Sequence, residues 1–191
     1  MGRELERKYR ADEATLEAIQ HSYGDFTPIS METVYYDTPD KALSSRYWTL
    51  RRRMENGVAV CTLKTPLPDG SRGEWEVTCG DIMEAIPMLW KEGAPPELIV
   101  LTAGGVRESC GARFTRLAKT LELESCTVEL ALDKGVLLGG GNEQPLCEAE
   151  VEYKSGDETT ALLFARLLAK KFRLVPETKS KVARALELAK G

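Results

Sequence analysis

The sequence predicts an α+β fold, namely an eight-stranded antiparallel β-barrel with helices at the first crossover, in the middle of the chain and at the C-terminus. Short stretches rich in β-branched and aromatic residues alternate polar with apolar side chains, as strands do. Turn signals such as Glu55-Asn56-Gly57 separate them, and Asn-Gly favours a tight hairpin. Helical patterns follow Asp12 and Asp81, two residues whose side chains can cap a helix.

Each predicted element follows from one of these patterns. We predict strands at Glu4–Tyr9, Ile29–Asp37, Tyr47–Met54, Val58–Thr65, Arg72–Cys79, Arg113–Leu123, Thr127–Asp133, Val136–Leu138 and Leu146–Tyr153. Asp133-Lys134-Gly135 is predicted to be a turn. Helices are expected in an insertion at about residues 81–105 and in a C-terminal part at about 157–190, as Asp157–Phe172 and Glu177–Lys190. We expect residues 1–191 to form a single domain.

Composition limits the function classes. The 191 residues are 42% hydrophobic and 29% charged, with a net charge of -4, which argues against a surface built for nucleic acid. Apolar runs are too short to span a bilayer, and the charged start of the chain predicts no signal peptide. The five scattered cysteines predict free thiols in the cytoplasm. The single histidine, His21, argues against a zinc site or a Ser-His-Asp triad.

Charged residues repeat with a period of two along nearly every predicted strand, so they share one face. The rows are Glu4, Glu6 and Lys8; Arg51 and Arg53; Thr62 and Lys64; Arg72, Glu74 and Glu76; Glu129, Ala131 and Asp133; and Glu148, Glu150 and Glu152. The opposite faces carry mostly apolar or small residues. A solvated outer face explains any single strand, whereas the recurrence in nearly all of them favours a barrel with a polar interior and an apolar exterior.

The mixture of charges indicates what such an interior could bind. Carboxylates alone would suggest calcium, and cations alone would suggest nucleic acid or a phosphate ester. Both together suit an anion that carries its own divalent metal, because carboxylates bind hard cations and guanidinium groups bind phosphoryl oxygens. A polyphosphate with Mg²⁺, or alternatively Mn²⁺, is the ligand that this pattern predicts.

The ordered motifs resemble those of the CYTH superfamily, the triphosphate tunnel metalloenzymes. Glu4-x-Glu6-x-Lys8 stands at the N-terminus, and Leu50-Arg51-x-Arg53, Arg72-x-Glu74-x-Glu76 and the stretch from Cys147 to Gly156 follow in the expected order. The resemblance covers nearly the whole chain and is greatest to bacterial inorganic triphosphatases. It implies an eight-stranded tunnel that binds triphosphates with a divalent metal. The chain ends soon after Lys181, so we expect a CYTH domain alone.

The resemblance also implies roles for individual residues. Metal would be held by Glu4, Glu6, Glu148 and Glu150. Phosphate would be bound by Lys8, Arg51, Arg53, Lys64, Arg116 and Lys181, and we expect Arg72 to join them. Glu74, Glu76 and Asp133 would help to place a second metal and the attacking water. Glu152 could lie at the tunnel rim or in solvent, and Lys179 is the rival of Lys181.

The activity expected from the resemblance is metal-dependent hydrolysis of the terminal phosphate of a triphosphate, with inorganic triphosphate (tripolyphosphate) as the first choice. Thiamine triphosphatase, class IV adenylyl cyclase and a non-catalytic polyphosphate or nucleotide sensor are the alternatives. The sequence shows no feature for recognising a base, so the cyclase ranks lower. The expected partner is a small-molecule triphosphate, without nucleic acid or membrane. Apolar outer strand faces are also compatible with a homodimer.

Overall fold

The computed structural model describes residues 2–68 and 70–190, and for residues 2–4 it describes the backbone alone. The strands are β1 (Gly2–Glu4), β2 (Glu6–Arg10), β3 (Thr27–Asp37), β4 (Thr49–Glu55), β5 (Val58–Pro66), β6 (Arg72–Thr78), β7 (Arg107–Glu122), β8 (Cys126–Gly139), β9 (Asn142–Gly156) and β10 (Val175–Pro176). The helices are α1 (Glu13–Tyr23), α2 (Ile82–Lys91), α3 (Glu97–Thr102), α4 (Glu158–Phe172) and α5 (Lys181–Leu188), with a 3₁₀ turn at Ser44–Arg46.

The strands form one sheet in the order β1-β6-β5-β4-β3-β7-β8-β9-β2-β10. The strand predicted at Glu4–Tyr9 is divided at Leu5: β1 pairs with β6, whereas β2 pairs with β9. This short link joins the two sides of the sheet, and the Leu5 carbonyl accepts a 2.9 Å hydrogen bond from the Tyr153 N–H. With β1 and β2 counted as one strand and the two-residue β10 set aside, the barrel has eight strands, which confirms the predicted α+β fold.

The predicted turn at Asp133-Lys134-Gly135 is wrong, because β8 runs through it without interruption. Asp133 pairs with Arg116 on one side and Glu148 on the other, and Gly135 pairs with Phe114. A Cβ atom on Gly135 would lie 2.2 Å from the Arg113 carbonyl oxygen. The glycine therefore permits a close approach between strands, and it does not mark a turn.

Other predicted boundaries also shift. Strand β7 begins at Arg107, earlier than predicted, because it pairs with β3 as far as Asp37. Strand β9 begins at Asn142, also earlier than predicted, because the β8–β9 hairpin extends to Gly139 and Asn142. The last helix begins at Lys181 instead of Glu177, because the Ser180 side chain accepts a hydrogen bond from the Ala183 N–H and caps the helix there.

Helices cover the apolar outer faces of the barrel. Helices α1 and α4 contribute to a core with β2, β8 and β9, which contains Leu16, Ile19, Val128, Leu130, Val151 and Leu168. Helices α2 and α3 cover β4, β5 and β6 in a second core, which contains Leu50, Leu63, Trp75, Ile86, Leu89 and Leu98. The polar residues of these strands consequently face the interior.

Helix α5 packs against β7, β8 and β9. Its Ala185 is fully buried in a third apolar cluster with Met31, Phe114, Leu137 and Leu146. The helix approaches so closely that a Cβ atom on Gly139 would lie 2.1 Å from the Ala185 carbonyl oxygen. This packing carries Lys181, the first residue of α5, into the polar interior. Within the described ranges, no helix has both the length and the apolar composition that crossing a membrane requires.

Candidate functional site

A cavity of about 320 Å³ lies inside the barrel, and charged side chains line most of its wall. Its carboxylates are Glu6, Glu55, Glu74, Glu76, Glu129, Glu150 and Glu152. Its cations are Lys8, Arg51, Arg53, Lys64, Arg72, Arg116, Lys154 and Lys181. The period of two along the strands places these residues on the inner face, except for Lys181, which α5 contributes. All seven residues predicted to bind substrate are therefore brought into one cavity.

One side of the cavity is rich in arginine. Arg51 and Arg53 project from β4, and their Nη2 atoms lie 3.9 and 3.8 Å from Glu76 Oε1. Arg53 also contacts Glu55 closely. Burial and the neighbouring Arg51 lower the pKa of Arg53, although Glu55 and Glu76 act in the opposite direction. Two neighbouring guanidinium groups that repel each other make this wall suited to an anion.

The adjacent strands add further cations and the predicted catalytic carboxylates. Lys64 Nζ on β5 lies 3.1 Å from Glu74 Oε1 on β6, and Arg51 Nη2 lies 3.8 Å from the same oxygen. Arg72 donates a 3.0 Å hydrogen bond to the Thr49 hydroxyl. Both predicted carboxylates of β6 thus face the arginine-rich wall.

Glu76 is held by a residue that the sequence did not single out as functional. The hydroxyl of Thr62, which is fully buried, donates a 2.8 Å hydrogen bond to Glu76 Oε1. The register explains the contact, since Thr62 and Glu76 are direct partners on β5 and β6. The side chain of Glu76 remains 43% exposed toward the cavity. This carboxylate is therefore fixed in orientation yet accessible to water.

A row of carboxylates crosses the opposite side of the cavity. Glu6 on β2 is the direct partner of Glu152 on β9, and Glu152 is the partner of Glu129 on β8. Lys154 Nζ lies 2.9 Å from Glu152 and 4.0 Å from Glu129. Like charges on directly opposed residues destabilise a sheet, and carboxylate oxygens are the ligands that Mg²⁺ prefers. We call Glu6, Glu129 and Glu152 the carboxylate row, and its chemistry fits a divalent metal.

Three further carboxylates form a buried acidic cluster that could bind a metal ion, made of Asp133, Glu148 and Glu150. One ligand oxygen from each lies within 4.8 Å of the others. Lys181 Nζ stands among them, 2.9 Å from Asp133, 2.6 Å from Glu148 and 2.6 Å from Glu150. We call these three residues the acidic cluster.

Two arginines also neutralise the acidic cluster. Arg116 binds both carboxylate oxygens of Asp133 at 2.8 and 2.7 Å, and its Nη2 lies 2.5 Å from Glu150. Arg184, which follows Lys181 by one helical turn on α5, contacts Glu148 closely. Asp133 and Glu148 have no exposed surface and lie behind the cavity wall.

The charges of the acidic cluster support one another. Burial alone would raise the pKa of Glu150, but Lys181 and Arg116 lower it below its ordinary range. Burial alone would lower the pKa of Lys181, yet Asp133, Glu150 and Glu148 raise it well above its ordinary value. Glu150 is consequently ionised and Lys181 protonated at neutral pH.

Sequence reasoning placed most of the cavity residues and missed some. Glu152 faces the cavity, whereas Lys179 is exposed and pairs with Glu187 at 2.8 Å. Lys154 was missed as a site residue although it continues the period of two from Glu152. The predicted metal ligand Glu4 cannot be assessed, since its side chain lies outside the described residues.

Arg184 and Glu55 were missed for different reasons. Arg184 lies on a helix whose docking on the barrel no local pattern reveals, although its spacing of three from Lys181 places both on one helical face. Glu55 was assigned to a hairpin turn, whereas β4 extends to include it.

The CYTH domain family matches residues 2–186, so this chain belongs to the CYTH domain family. It is similar to the inorganic triphosphatase of Haemophilus influenzae, with 29% identity over 125 residues that make up 64% of this chain and 36% of that protein. The matched part thus spans little more than a third of the length of this relative.

Solved structures share the fold. A protein of Pyrococcus horikoshii OT3 superposes with a TM-score of 0.65 and 21% identity, covering 98% of this chain and 99% of that one. A Hippeastrum protein, described as a candidate adenylyl cyclase with a dominant triphosphatase activity, superposes with a TM-score of 0.64 and 18% identity, covering 94% and 93%. These structural matches confirm the predicted fold.

Proposed function

We propose that this chain is a divalent-metal-dependent triphosphatase that hydrolyses the terminal phosphoryl group of inorganic triphosphate. The observation that carries the proposal is the two-sided cavity, in which an arginine-rich wall faces a carboxylate row. Cations bind the negatively charged phosphoryl oxygens, and carboxylates bind the metal that such an anion carries. The relationship to an inorganic triphosphatase supports the same chemistry.

The cations would bind and orient the substrate. Lys8, Arg51, Arg53, Lys64, Arg72, Arg116 and Lys181 all line the cavity. Phosphoryl transfer requires mainly positioning and charge stabilisation, which fixed guanidinium and ammonium groups supply. Their side chains donate hydrogen bonds to phosphoryl oxygens and hold the triphosphate in line with the attacking water. Glu76, oriented by Thr62, accepts the proton of that water, while Glu74 keeps Lys64 and Arg51 in place.

Magnesium is the metal that we propose. Glu6, Glu129 and Glu152 would hold it, together with Glu4 as the family resemblance implies. When bound, it would supply neutralisation of phosphate charge and Lewis-acid polarisation of the phosphoryl group. Glu148 and Glu150 do not fit a metal as they stand here, because Lys181, Arg116 and Arg184 already neutralise their cluster.

The cavity wall favours an inorganic triphosphate over a nucleotide or thiamine ester. Among the described residues that line it, the aromatic side chains are Tyr35 and Phe114, which are 5% and 8% exposed. Lys181 Nζ also lies 5.4 Å from the centre of the Phe114 ring. Neither ring offers a free face on which a base could stack. We further propose a single domain in the cytoplasm, where the five free cysteines would remain reduced.

A substrate panel tests the proposal. Tripolyphosphate, ATP, thiamine triphosphate and pyrophosphate are each incubated with Mg²⁺ or Mn²⁺, and phosphate and cyclic AMP are measured together. We expect phosphate release to be fastest from tripolyphosphate and to require the metal. Lys8→Ala should abolish it, because this ammonium binds the substrate in the cavity.

Arg7→Ala is the matched control, since Arg7 is the exposed neighbour of Lys8 on the opposite face of β2. This variant should retain activity. Cyclic AMP formed from ATP in preference to phosphate release would instead identify a cyclase. Tight binding of tripolyphosphate without turnover in either metal would identify a sensor.

A further inference from the structure

The two groups of carboxylates in the barrel differ in how they are neutralised. The carboxylate row faces the cavity with side chains that are 25–32% exposed. In the acidic cluster, by contrast, Asp133 and Glu148 are fully buried and the side chain of Glu150 is 8% exposed. The carboxylate row has Lys8 3.6 Å from Glu6 and Lys154 2.9 Å from Glu152. In the acidic cluster, a single ammonium group, that of Lys181, contacts all three carboxylates.

Lys181 forms ion pairs with all three residues of the acidic cluster, although among the described residues Glu148 Oε2 has no hydrogen-bond partner. An ammonium group has three N–H donors. Lys181 Nζ lies 2.6–2.9 Å from one carboxylate oxygen of each of the three residues. Three carboxylates are then matched by three cations, namely Lys181, Arg116 and Arg184. A divalent metal entering this arrangement would have to share a buried space with the ammonium group, and like charges at such distances repel strongly.

The ammonium group of Lys181 is nonetheless able to leave the acidic cluster for the cavity. It lies at the first position of α5 and lines the cavity, and its four-carbon side chain is flexible. A phosphate anion in the cavity competes with the acidic cluster for this ammonium group. Once Lys181 turns to the anion, three carboxylates face only two arginines, and the cluster carries a net negative charge that suits a divalent cation.

We propose that Lys181 closes the acidic cluster to divalent metal until a phosphate anion draws it away. Occupation of the acidic cluster by metal is then conditional on the anion, whereas the carboxylate row binds metal without it. This order of binding rests on the proposed function, because it takes the phosphate anion as the natural competitor for Lys181.

Binding of Mn²⁺ to the full chain without any phosphate tests the proposal, with free Mn²⁺ measured by electron paramagnetic resonance. In the wild-type background, Glu148→Gln should change the dissociation constant for Mn²⁺ by less than twofold, since the acidic cluster is closed. Lys181→Met should bind one additional Mn²⁺ per chain. Combining Lys181→Met with Glu148→Gln should remove the additional site.

Lys179→Met is the matched control, because Lys179 is an exposed lysine two residues away, and it should bind Mn²⁺ like the wild type. Circular dichroism verifies the fold of each variant. Where Lys181→Met does not fold, Lys181→Gln replaces it, since the amide still donates hydrogen bonds to the carboxylates. A folded Lys181 variant without an additional site would overturn the proposal, as would a tenfold loss of affinity in Glu148→Gln alone.

These outcomes are independent of turnover. If the chain hydrolyses no triphosphate but Lys181→Met gains the site, the proposed function fails and the closure by Lys181 stands. If tripolyphosphate is hydrolysed but no site is gained, the closure fails and the proposed function stands.

Discussion

The hydroxyl group of Thr62 determines how Glu76 is presented to the cavity. Thr62 is fully buried and donates a hydrogen bond to one oxygen of Glu76. This bond fixes the orientation of the carboxylate, and with it the direction of the second oxygen. A carboxylate that accepts a proton from water must lie within hydrogen-bond reach of that water in the right orientation. Thr62 is therefore a positioning residue for Glu76.

Replacing Thr62 with valine should lower kcat about tenfold and leave KM nearly unchanged, which corresponds to about 1.4 kcal/mol of transition-state stabilisation. Valine keeps the shape of the side chain and removes its donor, so binding of the phosphates by the cations is preserved. Steady-state kinetics with Mg²⁺ and tripolyphosphate provide the measurement. Thr62→Ser should restore most of kcat, and an equal loss in the serine variant would show that packing matters instead of the hydrogen bond.

The sequence predicted which residues face the interior because that information is local. Alternation along a strand is fixed by backbone geometry, so Arg51, Arg53, Glu74 and Glu76 could be placed without knowledge of their neighbours. The contact between Thr62 and Glu76 depends on the register between two strands. The contact between Arg184 and Glu148 depends on where a helix docks. Neither is encoded in a short pattern, so both emerged only from the folded chain.

Among the secondary-structure elements, α5 links the fold to the site. It packs on β7, β8 and β9 through Ala185, and its N-terminal turn carries Lys181 and Arg184 to the acidic cluster. Gly139 makes the close approach possible, because any Cβ atom at this position would collide with the backbone of α5. Docking of the helix and placement of the two cations therefore depend on the same contact.

We expect Gly139→Ala to destabilise the chain by about 1–3 kcal/mol, the usual cost of overpacking, and to reduce tripolyphosphate hydrolysis. The added methyl group displaces α5 and moves Lys181 away from the cavity. Thermal unfolding measures the loss of stability, and phosphate release from tripolyphosphate measures the loss of activity. The rate of tryptic cleavage at Lys181 and Arg184 reports the displacement of α5.

Gly104→Ala is the control for this change, since a Cβ atom at Gly104 would have no neighbour within 4 Å. It should leave both the unfolding temperature and the cleavage rate unchanged. Wild-type stability and cleavage in Gly139→Ala would show that α5 tolerates displacement.

The sequence predicted the type of each helix or strand more reliably than the residues at which it begins and ends. Helices beginning after Asp12 and Asp81 were confirmed because their caps are local: both side chains accept hydrogen bonds from the first turn. Gly135 misled the prediction, since a glycine can serve either a turn or a close approach between strands. Only the pairing of β8 with β7 and β9 on both sides decides between these uses.

At the level of the whole molecule, the barrel encloses nearly equal numbers of opposite charges. Seven carboxylates and eight cations line the cavity in the described part of the chain. An anion alone would meet repulsion from the carboxylates, and a metal alone would meet repulsion from the cations. The two together bring charges that complement both sides, so each ligand should strengthen the binding of the other.

Thermal unfolding of the Glu76→Gln variant, in which turnover is slowed, should reveal this coupling. Ligands that bind the native chain raise its unfolding temperature according to their affinity. We expect the shift with Mg²⁺ and tripolyphosphate together to exceed the sum of the separate shifts. Because magnesium also binds tripolyphosphate in solution, a chain that recognised only the free anion would show a smaller shift in the mixture. A mixture that shifts the unfolding temperature no more than tripolyphosphate alone would therefore contradict the coupling. Lys8→Ala should weaken the shift, because it removes one phosphate-binding cation from the cavity wall.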